Sequence, residues 1–200
     1  KGKGSDTARV AKWGVVVEVE GNGFHTSYNK DEIKSNVGTY TVISADGNVV
    51  APGTKGTFGG VKISGQPEVA VKITTTADVK LSGWNVGTDG EFYCPLKFTI
   101  GDTTINGLDY SKGTAGGVNS FQADIKQAIE DATTQEVEAG KDLDAIGDSI
   151  TYSWEWPFEN GTGSAASQSD VLDTLLGDNA VNGEAPTISI DVTTTVTQID

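Results

Sequence analysis

Methionine is absent from this 200-residue chain, and cysteine and histidine occur once each. The lone thiol of Cys94 cannot close a disulfide within one chain. With His25 as the only imidazole, a zinc-protease helix, which needs two histidines four residues apart, is excluded. A Ser-His-Asp site would have to use His25, which follows a glycine turn in a chain without nucleophile-elbow glycines. Neither a GxGxxG nor a GxxxxGKS/T phosphate loop occurs. No apolar run approaches the ~18 residues of a spanning helix. Basic residues are scarce too: 14 Lys and Arg stand against 28 Asp and Glu, a formal charge of −14. Such a field repels nucleic acid phosphates and anionic membranes and suits divalent cations. No nucleic acid partner and no membrane insertion are expected.

What is present reads as β structure. Twenty-six glycines and abundant threonine fit an extracellular β protein. The opening Lys1-Gly2-Lys3-Gly4 reads as a cleaved product, so a secreted or cell-surface location is expected. Residues 1 to 7 are polar and glycine-rich, as in a mobile arm. Ala11, Trp13, Val15, Val17 and Val19 then alternate on one face of a strand. Tyr40 to Ala45 reads as a strand, and across Thr57 to Ser64 the phase changes at Gly59-Gly60, where a bulge is expected. Val69, Val71 and Ile73 point inward on a strand over Glu68 to Thr75. Phe92, Cys94, Leu96, Phe98 and Ile100 form the next apolar face, with a two-residue hairpin at Gly101-Asp102.

Two helices interrupt the strands. Phe121, Ile125, Ala128, Ile129 and Ala132 define an amphipathic helix near 119–133, with Asn119 or Ser120 as cap. Val171, Leu172, Leu175 and Leu176 define a shorter one near 169–177, capped by Ser169. Between them Tyr152, Trp154 and Trp156 alternate on a strand, and Ile188, Ile190, Val192 and Val196 sit in phase on a closing strand. Seven or more short strands with turns between them predict an antiparallel sandwich.

Few residues stand out as chemistry. Cys94 lies on an apolar face, so it reads as an inert core thiol. Asp142, Asp144 and Asp148 are spaced within a loop, and Asp170, Asp173 and Asp178 surround the second helix; Ca²⁺ is the candidate ion for such oxygen donors. Tyr152, Trp154 and Trp156, with Trp13 and Trp84, are the candidate platform for a matrix polysaccharide, although aromatics on a covered sheet face ordinarily fill the core. A hydrolase built on two carboxylates is the remaining alternative, but context singles out no pair. The chain is read as a non-enzyme.

Several segments resemble one family. Ala8-Arg9-Val10-Ala11-Lys12-Trp13-Gly14-Val15, Ala51-Pro52-Gly53-Thr54-Lys55-Gly56-Thr57-Phe58, Glu68-Val69-Ala70-Val71-Lys72-Ile73, Ser153-Trp154-Glu155-Trp156-Pro157-Phe158 and Val192-Thr193-Thr194-Thr195-Val196-Thr197-Gln198 are similar, in this order, to the TasA/camelysin family of secreted biofilm-matrix proteins. The resemblance implies a mainly β, antiparallel jelly-roll/Ig-like β-sandwich over 13–200 with short inserted helices. It also implies an extended N-terminal strand, with residues 1–12 as a donor arm. In that family the N-terminal segment completes a sheet in the next subunit, so Thr7, Ala8, Arg9, Val10, Ala11 and Lys12 are the candidate donor and identical subunits the expected partners. Donor and groove are different surfaces, so the contact is head-to-tail and gives open filaments. The metalloprotease activity described for camelysin-type proteins does not carry over to a chain with one histidine.

Overall fold

The structure is a computed structural model, which describes residues 16–20, 34–36, 39–41, 52–53, 55–57, 60–86, 89–111, 117–149, 152–157, 162–181 and 186–199. The proposed donor arm, His25 and Trp13 lie outside the described residues. The first half of the chain supplies β1 (Val16–Glu20), β2 (Lys34–Asn36), β3 (Thr39–Thr41), β4 (Lys55–Thr57), β5 (Gly60–Ser64) and β6 (Val71–Ser82). Next come β7 (Asn85–Val86), β8 (Glu91–Phe92), β9 (Lys97–Ile100), β10 (Thr103–Asn106) and a 3-10 turn at Gly107–Tyr110. The remainder is α1 (Gly117–Thr133), β11 (Gln135–Val137), α2 (Asp144–Ser149), β12 (Tyr152–Glu155), α3 (Ser164–Val181) and β13 (Thr187–Gln198).

The fold is mainly β, and among the described residues every strand pairing is antiparallel. Strands β10-β9-β12-β4 form one sheet and β11-β6-β13 another, with β1-β5, β2-β3 and β7-β8 as separate pairs. Gly59 of the expected Gly59-Gly60 bulge lies outside the described residues, but the strands on either side of it belong to different sheets. Lys55–Thr57 pairs with β12, whereas Gly60–Ser64 pairs with β1, so the chain changes sheet between them. The Gly101-Asp102 hairpin is present, with Ile100 opposite Thr103 and Gly101 at φ 56°. That positive φ suits a residue without Cβ.

β6 is longer than its apolar run predicts. Val71, Ile73, Thr75, Ala77, Val79 and Leu81 are all buried and the intervening residues are more exposed, so period two persists for twelve residues. The Thr74-Thr75-Thr76-Ala77-Asp78 stretch hid this, because small and polar side chains carry little hydrophobic signal. Buried Thr75 is satisfied through its hydroxyl, 2.9 Å from that of Thr194. β13 runs beside β6 over its whole length, from Thr187 opposite Ser82 to Gln198 opposite Val71.

The helices are longer than expected. α1 starts at Gly117, so Asn119 and Ser120 lie inside it rather than at its cap. Phe121, Ile125, Ile129 and Thr133 form its buried stripe, each four residues from the last. The hydroxyl of Thr133 donates to the Ile129 carbonyl (3.0 Å), which removes the cost of a polar group there. Each fully buried Phe or Ile of the stripe contributes about 1.5–3 kcal/mol. α3 spans eighteen residues, and Ser169 sits within it instead of capping it. Leu176 is buried, but Val171 is 60% exposed and Asp173 is 9% exposed, the reverse of the polarity expected at those two positions.

The main core gathers β6, β9, β12, α1 and α3 around Trp84, Phe98, Phe121, Tyr152 and Trp154. A second cluster of Ile63, Val71, Ile73, Val137 and Leu143 lies at the other end of β6.

Candidate functional site

The residues that sequence reasoning singled out fall in three places. The acidic loop is a stapled turn: Gly140 N–H donates to Pro67 O (2.7 Å) and Leu143 N–H to Gly65 O (2.9 Å). Asp142 Oδ1 accepts from the amide of Asp144 (3.0 Å), and Asp144 Oδ1 accepts from the amide of Gly65 (3.2 Å). These two carboxylates therefore organise the entry to α2, where short polar side chains suit the free amides of a first turn. Asp148 belongs to α2. Among the described residues no three His, Cys, Asp or Glu side chains gather closely enough to hold a metal ion.

The described tryptophans form no exposed platform. Trp84, Trp154 and Trp156 are 1%, 2% and 5% exposed, so none offers a ring face to a sugar. They are held from within: Trp84 Nε1 donates to the Thr187 carbonyl (2.9 Å), and the Trp84 and Trp156 rings lie 6.0 Å apart. Glu155, on the opposite face of β12, pairs with Lys97 across the sheet at 3.0 Å. Cys94 is fully buried, and burial raises its thiol pKa, consistent with an inert side chain.

Sequence reasoning missed two constellations. The first is a buried polar node at Asp173. Its Oδ1 accepts from the Tyr93 hydroxyl (2.8 Å) and its Oδ2 from Trp156 Nε1 (3.2 Å), tying α3 to the β8–β9 connection and to the end of β12. Burial raises the Asp173 carboxyl above the ordinary range, against the two hydrogen bonds, which favour the ionised form. Tyr93 is likewise pushed up, first by burial and then by the carboxylate. Sequence spacing groups Asp173 with Asp170 and Asp178 as a candidate Ca²⁺ donor, whereas its place between Leu172 and Leu176 is the signal for a buried carboxylate.

The second is a seal along one edge of β6. The amides of Thr75, Ala77 and Leu81 donate to Thr134 Oγ1 (3.4 Å), Glu130 Oε1 (3.0 Å) and Gln122 Oε1 (2.7 Å). Two strand residues advance the chain ~6.7 Å, close to the ~6 Å of four helix residues. α1 and the residue after it can therefore serve the strand in regular steps. Lys126, whose side chain carries no acceptor atom, instead pairs with Glu130 at 3.9 Å. Gln122, Lys126, Glu130 and Thr134 each directly follow a residue of the buried stripe. The apolar stripe thus seats the helix, and the adjacent polar row closes the strand.

A concavity of about 720 Å³ lies between the β9–β10 hairpin and α1, lined among others by Ile105, Tyr110, Asp124 and Asp131. Its carboxylates have protein partners: Tyr110 Oη donates to Asp124 and Gln127 Nε2 to Asp131.

Comparison of the chain with models of known protein families, with curated proteins and with solved structures returned no match.

Proposed function

We propose that the chain is a secreted structural subunit of a biofilm-matrix-like filament, a jelly-roll-like sandwich polymerising head-to-tail through its N-terminal arm. The observation that carries the reading is how the segments resembling the TasA/camelysin family pair. Val71, Lys72 and Ile73 lie opposite Gln198, Thr197 and Val196, and Lys55, Gly56 and Thr57 lie opposite Glu155, Trp154 and Ser153. Four of the five resembling segments are thus direct neighbours in two sheets, although more than ninety residues separate each pair of partners in sequence.

Polymerisation would proceed by strand addition. An open sheet edge offers backbone donors and acceptors, and an extended arm satisfies them while its alternate side chains, Ala8 and Val10, fill apolar sites. Deletion of residues 1–10 tests the assignment. The full chain should form filaments in negative stain, and the truncated chain should remain a soluble monomer. Filaments of normal appearance from the truncated chain refute the donor assignment.

A further inference from the structure

The sheet β11-β6-β13 has two outer sides, and they differ. On the β6 side, β11 covers Val71 to Ile73, and beyond it Thr134, Glu130 and Gln122 take the amides of Thr75, Ala77 and Leu81. Covering an edge with a helix is one established way of preventing unwanted strand pairing. On the other side, no described residue gives β13 a comparable cover. Its register couples odd positions to even positions of β6, and Ile199 N–H donates to the Ala70 carbonyl (3.0 Å) in the same phase. Odd residues of β13 therefore direct their backbone groups at β6. The even residues from Ile188 to Gln198 aim theirs outward. No strand among the described residues pairs with that outward edge.

Two further features mark this edge. Ile188, Ile190, Val192 and Val196 pack against the core yet stay only partly buried. Val192 to Gln198 also contains no charge, proline or glycine, the devices that usually protect a long edge strand.

We infer that the outer edge of β13 is the acceptor for residues 7–12 of a second copy of this chain. The identity of the donor rests on the filament reading above; the choice of edge rests on the contrast within the sheet. Charge favours the same pairing. Residues 1–12 carry Lys1, Lys3, Arg9 and Lys12 against Asp6, a net +3, whereas the rest of the chain carries −17. A cationic arm is thus steered toward an anionic body. Six extended residues span ~20 Å, about half the ~40 Å offered by a twelve-residue strand.

The test titrates a fluorescein-labelled peptide of residues 1–12 into the full chain and reads polarisation, with thermal unfolding and negative stain run in parallel. Val196→Pro removes an outward amide and leaves the β6 ladder its bonds; the double variant Thr193→Lys/Thr195→Lys places charges on the exposed face of the same strand. Val171→Lys, on α3, is the remote control. The parent and the control should bind the peptide, and both edge variants should bind at least tenfold more weakly and lose filaments while still unfolding cooperatively. Equal binding by a folded edge variant overturns the inference, as does a parent that does not bind. A closed dimer joined through β13 that excludes the peptide overturns it too. Filaments that survive the edge variants but not deletion of residues 1–10 retain the donor arm and refute this acceptor. Peptide binding that requires β13 in a parent that forms no filaments supports the acceptor and refutes the filament reading.

Discussion

Replacing Asp173 by alanine removes the carboxylate acceptor of two donors in the core, the Tyr93 hydroxyl, which also meets the Ser169 hydroxyl, and the Trp156 indole N–H. Their residues are 3% and 5% exposed, so water is a poor substitute partner. Each stranded donor costs about 1–3 kcal/mol, or about 4 kcal/mol for the pair at mid-range. In a domain of this size each kcal/mol moves the melting temperature by about 2–4 °C, so Asp173→Ala should melt about 8–16 °C lower. Asparagine behaves differently. Its carbonyl can accept from the indole, and its amide can donate to the tyrosine hydroxyl, which also accepts. Both contacts survive without a buried charge. Because burial raises the Asp173 pKa, the folded state holds that proton more tightly than the unfolded chain. The stability linked to it is full below the unfolded value, ~3.9, and is lost as pH rises through the folded value. Asp173→Asn should therefore match or exceed the parent at neutral pH, and any advantage should shrink on acidification. Thermal unfolding of the three proteins by circular dichroism across pH checks this. An Asn variant as unstable as the Ala variant at neutral pH, or an advantage that grows in acid, refutes the reasoning.

Gly107→Ala should destabilise by at least ~1–3 kcal/mol, the usual cost of overpacking, because its Cβ would meet the Cys94 carbonyl oxygen and the Leu96 carbonyl oxygen, both backbone atoms; urea unfolding reads the loss. Glu130→Ala removes the acceptor of the Ala77 amide and should cost about 1 kcal/mol. Hydrogen exchange should show the Ala77 amide less protected while Ile125 and Ile129 keep their protection. Binding of the residue 1–12 peptide should weaken with added NaCl, since the screening length falls from ~10 Å at 0.1 M to ~3 Å at 1 M; salt-independent polarisation curves count against steering by charge.

What could be read from the sequence divides along physical lines. Phe121, Ile125 and Ile129 announced α1 because a stripe at spacing four has no other economical explanation. Cys94, Phe98 and Trp154 were recognisable as interior residues by their alternation or composition. The second half of β6 was not, since Thr75 and Ala77 are buried without being strongly apolar, and burial of a threonine depends on a partner such as Thr194, 119 residues away. Helix ends were displaced for a similar reason: α1 begins at Gly117, at φ 56°, ahead of the caps that Asn119 or Ser120 suggested. Asp173 and the Gln122–Glu130–Thr134 row were invisible because each is defined by what lies opposite in space. A carboxylate between two leucines looks like a surface residue until Tyr93 and Trp156 are seen to face it.

The pairing of β6 with β13 also governs when the molecule can be finished. One partner lies in the first half of the chain and the other ends two residues before residue 200, so loops of up to about one hundred and twenty-five residues must close before the ladder forms. Such distant contacts slow folding. During synthesis from the N-terminus, β6 must wait for more than a hundred further residues before its neighbour exists. Until then its apolar face and backbone remain available to other chains, and a nascent molecule that stops short of Thr187–Gln198 has no β13 with which to complete the sheet.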